Sequence, residues 1–110
     1  MRGRARWIRD CSAMEKVAVK CEWEGRVVTV LVEAAVRGPL AIHPTQGAGL
    51  PPWTVTHVAT GYAVWRFFFE GDAENFVRTI LPLDWNFETA SMLPQATSVA
   101  VALLLRSLRP

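Results

Sequence analysis

Two histidines, two cysteines and a scatter of carboxylates are the residues of this 110-residue chain with types suited to chemistry. His57 stands in an apolar run, Trp53-Thr54-Val55-Thr56-His57, where it could pair with Cys21 or a carboxylate to activate a nucleophile or hold a metal. No H-x-x-x-H, H-E-x-x-H or C-x-x-C spacing supports that chemistry. A histidine on an apolar strand face more often bonds a nearby carbonyl, and that is the expectation here. Cys11 and Cys21 have no partner pattern and read as unlinked thiols. Glu70, Asp72, Glu74, Asp84 and Glu88 offer oxygen ligands for a divalent cation, but the first three are explained by the solvated start of a helix. Gly47-Ala48-Gly49 lacks the lysine and hydroxyl of a phosphate loop, and Pro51-Pro52 leads on to a strand instead of a helix. Ser12, Ser91, Ser98 and Ser107 have no glycine-flanked elbow. The chain therefore reads as non-enzymatic, with no catalytic, cofactor or metal residues.

The stretch Trp53 to Leu81 is the element that must position everything else, because it alone reads as strand, turn, strand and helix. A three-residue loop, Ala59-Thr60-Gly61, with glycine in the left-handed position, divides the side chains cleanly. One face then holds Trp53, Val55, His57, Ala63, Trp65, Phe67 and Phe69. The other holds Thr54, Thr56, Val58, Tyr62, Val64, Arg66 and Phe68. A one-residue slip would exchange the faces, so the apolar set selects the register, with the first face as core. The following helix is expected to start at Gly71 or Asp72 and to stop at Pro82. Ala73, Phe76, Val77, Ile80 and Leu81 form its apolar stripe, which makes it an amphipathic helix in need of the Trp53/Trp65/Phe67 face.

Elsewhere the pattern is of strands first and an apolar helix last. Lys16 to Trp23 alternates, Glu24-Gly25 is a turn signal, and Arg26 to Val36 returns as a strand that is apolar on both sides. That second strand is expected to be central or covered on both faces. Leu40 to His43 adds a short third strand before the glycine- and proline-rich loop of residues 44–52. Leu83 to Glu88 alternates and reads as an edge strand or an extended flap. Residues 89–105 carry no charge. They are fewer and more diluted with polar groups than the roughly 20 apolar residues of a membrane span. A helix from about Pro94 is expected, apolar nearly all round, packed on the sheet or covered by a second subunit or a membrane surface.

These readings combine into an α+β domain spanning residues 14–110, an antiparallel sheet of four or five strands built on two hairpins, with one amphipathic and one apolar helix. At this length it can bury a core without disulfides or metal. The formal charge is +2. Residues 1–13 set four arginines against one aspartate, a net +3, and the rest sets eight basic against nine acidic groups, a net −1. The first segment is either a basic arm or a non-native stretch ahead of Met14, and it is no secretory signal.

The pattern W-T-V-T-H-V-A-T-G, followed by a strand and the Ala73 to Phe76 segment of a helix, resembles segments of small uncharacterised bacterial, plasmid and phage-type proteins. In outline it is also similar to the sheet-plus-helix arm-binding domains of phage-type integrases, which grip DNA with the sheet. The expected function is protein association, by self-pairing or partner docking, through Tyr62, Val64, Arg66 and Phe68 on the outer sheet face or Val99 and Leu103 on the last helix. The alternative is an accessory nucleic-acid binder that uses Arg2, Arg4, Arg6 and Arg9 with the aromatic and arginine side chains of the sheet, since such faces stack bases. Near-neutrality of the folded part weighs against a phosphate-driven surface. A cytoplasmic location is expected.

Overall fold

The computed structural model describes residues 14–47 and 49–108, so the basic segment with Arg2, Arg4, Arg6 and Arg9 lies outside the described residues. Five strands form one antiparallel meander: β1 (Met14–Trp23), β2 (Arg26–Arg37), β3 (Leu40–Pro44), β4 (Trp53–His57) and β5 (Ala63–Phe67), paired in chain order. Two helices follow, α1 (Glu70–Ile80) and α2 (Gln95–Ser107), with a short 3-10 turn at Ala90–Met92 between them.

The β1–β2 hairpin turns through Glu24 and Gly25, both at positive φ, and runs in register from Trp23 opposite Arg26 to Met14 opposite Ala35. β2 lies inside the sheet, between β1 and β3, but is only partly covered. Val27 and Leu31 are 61% and 66% exposed, so its first half shows an apolar row to solvent and coverage of both faces is not observed. The reason is topological: the two described helices pack against β3, β4 and β5 and leave this row uncovered.

The sheet curls. Val17 and Val19 of β1 pack with Val32, Ala34 and Ala41, and Val58 of the β4–β5 turn packs against the same cluster. The amide of Lys20 donates to the Gly61 carbonyl at 2.7 Å. The first strand thus touches the far turn, and the meander becomes a partly closed barrel with a concave and a convex side.

The convex side carries the main core. Leu40, Ile42 and Val55 lie against Ala73, Phe76, Val77 and Ile80 of α1, with Trp85 and Phe87 closing one end. Phe67 meets Phe76 with ring centroids 5.0 Å apart. Each buried aromatic or branched side chain here stabilises by about 1.5–3 kcal/mol. The helix begins at Glu70 after Phe69, which makes no side-chain cap, so Asp72 is a first-turn residue and not the cap. Its carboxylate still lies at the positive end of the helix. Leu81, at the C-cap, is 39% exposed and adds little to the core. Leu83 to Glu88 forms no strand. It crosses the end of the sheet as a loop whose Trp85 indole N–H donates to the Ile80 carbonyl at 2.8 Å.

Candidate functional site

The β4–β5 turn decides which side chains share a face, and it departs from the simple hairpin. His57 N–H donates to Tyr62 O at 2.9 Å and Gly61 N–H donates to His57 O at 2.8 Å, so four residues, Val58 to Gly61, lie inside the closing pair. Gly61 takes the left-handed conformation, φ +79. Thr56 then stands opposite Ala63 and Val55 opposite Trp65, with the register shift between them leaving Val64 as a bulge. A bulge places one extra residue against its partner strand and re-aims the side chains beside it. The longer loop and the bulge compensate, so Trp65 and Phe67 keep the register expected from the pattern. The residues between turn and bulge do not.

The expected outer face of Tyr62, Val64, Arg66 and Phe68 is accordingly divided. Val64 packs against the convex core, and Tyr62 lines a groove of about 320 Å³ with Trp65, Trp85, Val101 and Leu105. Arg66 stands opposite Thr54 on the concave side. Phe68 is 70% exposed beyond the end of β5. Ala63 stands opposite Thr56, on the concave side and away from the face expected for it. Trp65 is only partly covered, 43% exposed, and Phe69, expected in the core, is as exposed as Phe68.

The last helix joins the convex side. Val101, Leu104 and Leu105 pack at the edge of the main core, and Thr97 donates its hydroxyl to the Asp84 carbonyl at 2.9 Å. Of its thirteen residues only Thr97 is buried. Ala96, Val99 and Leu103 face outward, three to four residues apart, the spacing of a helix–helix seam. Val99 and Leu103 therefore share one open surface, separate from Arg66.

On the concave side lies a cleft of about 490 Å³ between β1 and β5, whose wall includes Val19, Cys21, His43, Thr54, Thr56 and Arg66. The two histidines fall on opposite faces. His57 stacks on Phe87, centroids 4.3 Å apart, and its Nε2–H donates to the Trp85 carbonyl at 2.8 Å, while Nδ1 takes the Thr60 hydroxyl at 3.0 Å. It is a core histidine bonded to a carbonyl, and Cys21 lies on the other side of the sheet. His43, 2% exposed, uses Nδ1–H to donate to the Pro44 carbonyl at 2.8 Å. Its Nε2 must then accept from the Thr56 hydroxyl at 2.7 Å. Burial lowers the His43 pKa from its ordinary 6.5, the Pro44 bond opposes this, and the charge of Arg66 lowers it further.

The same proton accounting applies to Thr45 and Thr54. The Thr45 hydroxyl donates to Pro51 O, so the Thr54 hydroxyl gives its hydrogen to Thr45, 2.6 Å away. Both threonines of the wall have spent their hydrogens. Arg66 is different: its Nε is buried with no hydrogen-bond partner. Among the described residues the ion pair is Arg37–Glu74 at 3.1 Å, and none of their carboxylates lies within 4 Å of Arg66. Because Arg37 neighbours Gly38 in sequence and Glu74 lies on α1, that pair ties the end of β2 to the helix.

No group of three or more histidine, cysteine or carboxylate side chains is placed to hold a metal among the described residues. Both ring nitrogens of His43 are taken, so it is not poised to deprotonate Cys21, although both line the cleft. No helix among the described residues is long and apolar enough to cross a membrane. What reasoning from the sequence missed is the His43–Thr56 pair and its proximity to Arg66; the alternation of β3 and β4 puts these side chains on one face, but only the curl makes that face a cleft. No family model matches the chain, and no curated protein or solved structure proved significantly similar to it.

Proposed function

We propose that this chain is a small cytoplasmic interaction module that pairs with a second copy of itself through the outward side of α2. The observation that carries the reading is that α2 has a single buried residue, Thr97, and no charge before Arg106. Read as apolar nearly all round, α2 requires cover beyond the sheet edge it meets, whereas α1, read as amphipathic, is satisfied by one sheet face. The outward row of Ala96, Val99 and Leu103 is exposed and uncharged, and a two-fold contact of the row with its own copy needs no second surface on the molecule. Tyr62 and Trp65, partly open beside α2, extend that surface and allow ring burial on association.

Sedimentation equilibrium of the full chain over a wide concentration range tests the reading. The expected result is a dimer whose dissociation shows on dilution and is little affected by salt, with Leu103→Lys monomeric and its far-UV circular dichroism unchanged. A monomer at every concentration would refute self-pairing. Salt-sensitive retention of that monomer on heparin would favour nucleic-acid binding through the N-terminal arginines in its place.

A further inference from the structure

We infer that the concave cleft is a binding site for a small organic anion, a carboxylate or phosphate monoester with an apolar body, held by Arg66. Four observations converge on it. The Arg66 side chain is half-buried and its Nε is cut off from solvent without an acceptor. Leaving a buried charged donor unpaired is unfavourable, more so than leaving a neutral one, and an anion seated in the cleft beside the guanidinium offsets its charge. The cleft that Arg66 lines is large enough for a group the size of a benzene ring bearing a carboxylate.

The wall also fixes how such a ligand lies. Thr54 and Thr56 have given their hydroxyl hydrogens to Thr45 and His43 and present only lone pairs to the cleft. An anionic oxygen is repelled there and drawn to the Arg66 side, where the guanidinium fork matches the two oxygens of a carboxylate. At the mouth, Trp23 is 67% and Leu50 45% exposed, with both side chains belonging to the lining. They offer an apolar ring and an aliphatic arm to the body of a ligand whose head reaches Arg66. Glu22 also borders the cleft, and it is the rival for Arg66. It is exposed, on the opposite side of β1 from Cys21, and it stands more than 4 Å from the guanidinium.

Nuclear magnetic resonance of the ¹⁵N-labelled full chain tests the inference, with benzoate, phenyl phosphate, inorganic phosphate and the uncharged benzamide as probes. The expected result is a saturable shift of the Arg66 Nε–H and Trp23 indole signals with benzoate or phenyl phosphate, and none with benzamide. Which of the two binds more tightly identifies the head group. Arg66→Gln is expected to weaken binding roughly tenfold or more, the scale of one lost charge-assisted bond. Trp23→Ala, a substitution at an exposed rim position that leaves the core intact, is expected to weaken benzoate or phenyl phosphate without conferring binding of benzamide. Absence of saturable shifts with both aromatic anions would overturn the proposal, as would binding that persists undiminished in Arg66→Gln. So would an Arg66 Nε–H signal that moves on Glu22→Gln but with none of the probes, which would make Glu22 the partner of Arg66.

Discussion

His43 and His57 sit on neighbouring strands, each about 2–3% exposed, and yet they belong to two different kinds of surface. His57 is sealed under Trp85 and Phe87, with both ring nitrogens bonded inside the convex core. His43 is bonded as fully, but it faces a cleft that also holds an arginine whose buried Nε has no acceptor. Burial and satisfaction of a histidine therefore do not distinguish a structural side of a sheet from a binding one. The distinction lies in what the neighbouring charged group lacks. On the convex side Trp85 and Phe87 plug the end of the core, whereas the concave side is closed at one point, where Lys20 meets Gly61, and left open beyond it.

The largest expected effect lies on the convex side. Phe76→Ala removes the ring that meets Phe67 in the main core, and urea unfolding should show a loss of about 3–5 kcal/mol. An equal loss from Thr54→Val on the concave side would mean that the two sides contribute alike to stability and that the convex core is not the dominant one.

The closure of the concave side gives a smaller effect. A Cβ at Gly61 would stand 3.0 Å from the Ala18 carbonyl oxygen and 3.2 Å from Lys20 Cγ, whereas one at Gly25 would meet nothing within 4 Å. Both glycines have positive φ, so each alanine substitution costs about 1–2 kcal/mol for the left-handed backbone alone. Gly61→Ala is expected to cost measurably more than Gly25→Ala in the same denaturation experiment, because it also pushes β1 off the turn. Equal costs would show that β1 does not close against Gly61 in solution.

The smallest effect is a pH dependence. Because the folded pKa of His43 lies below 6.5, the unfolded chain binds this proton more readily. The stability owed to a neutral His43 is fully present above 6.5 and declines as pH falls from 6.5 towards the lowered folded value. Thermal melts of the wild type should fall over that interval, and His43→Gln should flatten the part of the slope that lies above carboxylate titration. An unchanged slope would place the titrating group elsewhere.

Much of the architecture was legible in the residues. The alternation of Lys16 to Trp23, the Glu24-Gly25 turn, the helical spacing of Ala73, Phe76, Val77 and Ile80, and the helix after Pro94 all appear where the pattern puts them. The pairing of Trp53 and Val55 with Phe67 and Trp65 does too. The sequence reading of the surface fared less well. Tyr62, Val64 and Arg66 alternate on paper, but the four-residue turn and the bulge at Val64 send them to different places. Nothing in the run Gly61-Tyr62-Ala63-Val64 marks a bulge, since its apolar side chains suit either face. The Leu83 to Glu88 alternation was equally misleading: Trp85 and Phe87 are buried at every second residue because they plug the end of the core, without a strand partner.

Taken alone, the order of amino acids determined most of the strands, both helices and the α1 stripe of the convex core, because periodicity at two or 3.6 residues is a local property written by each segment for itself. The closeness of Arg66 to His43, the contact of β1 with Gly61 and the docking of both helices on one side were decided only in three dimensions. These depend on how far a five-stranded sheet curls before distant faces meet, which is settled by packing among residues that have no regular spacing along the chain.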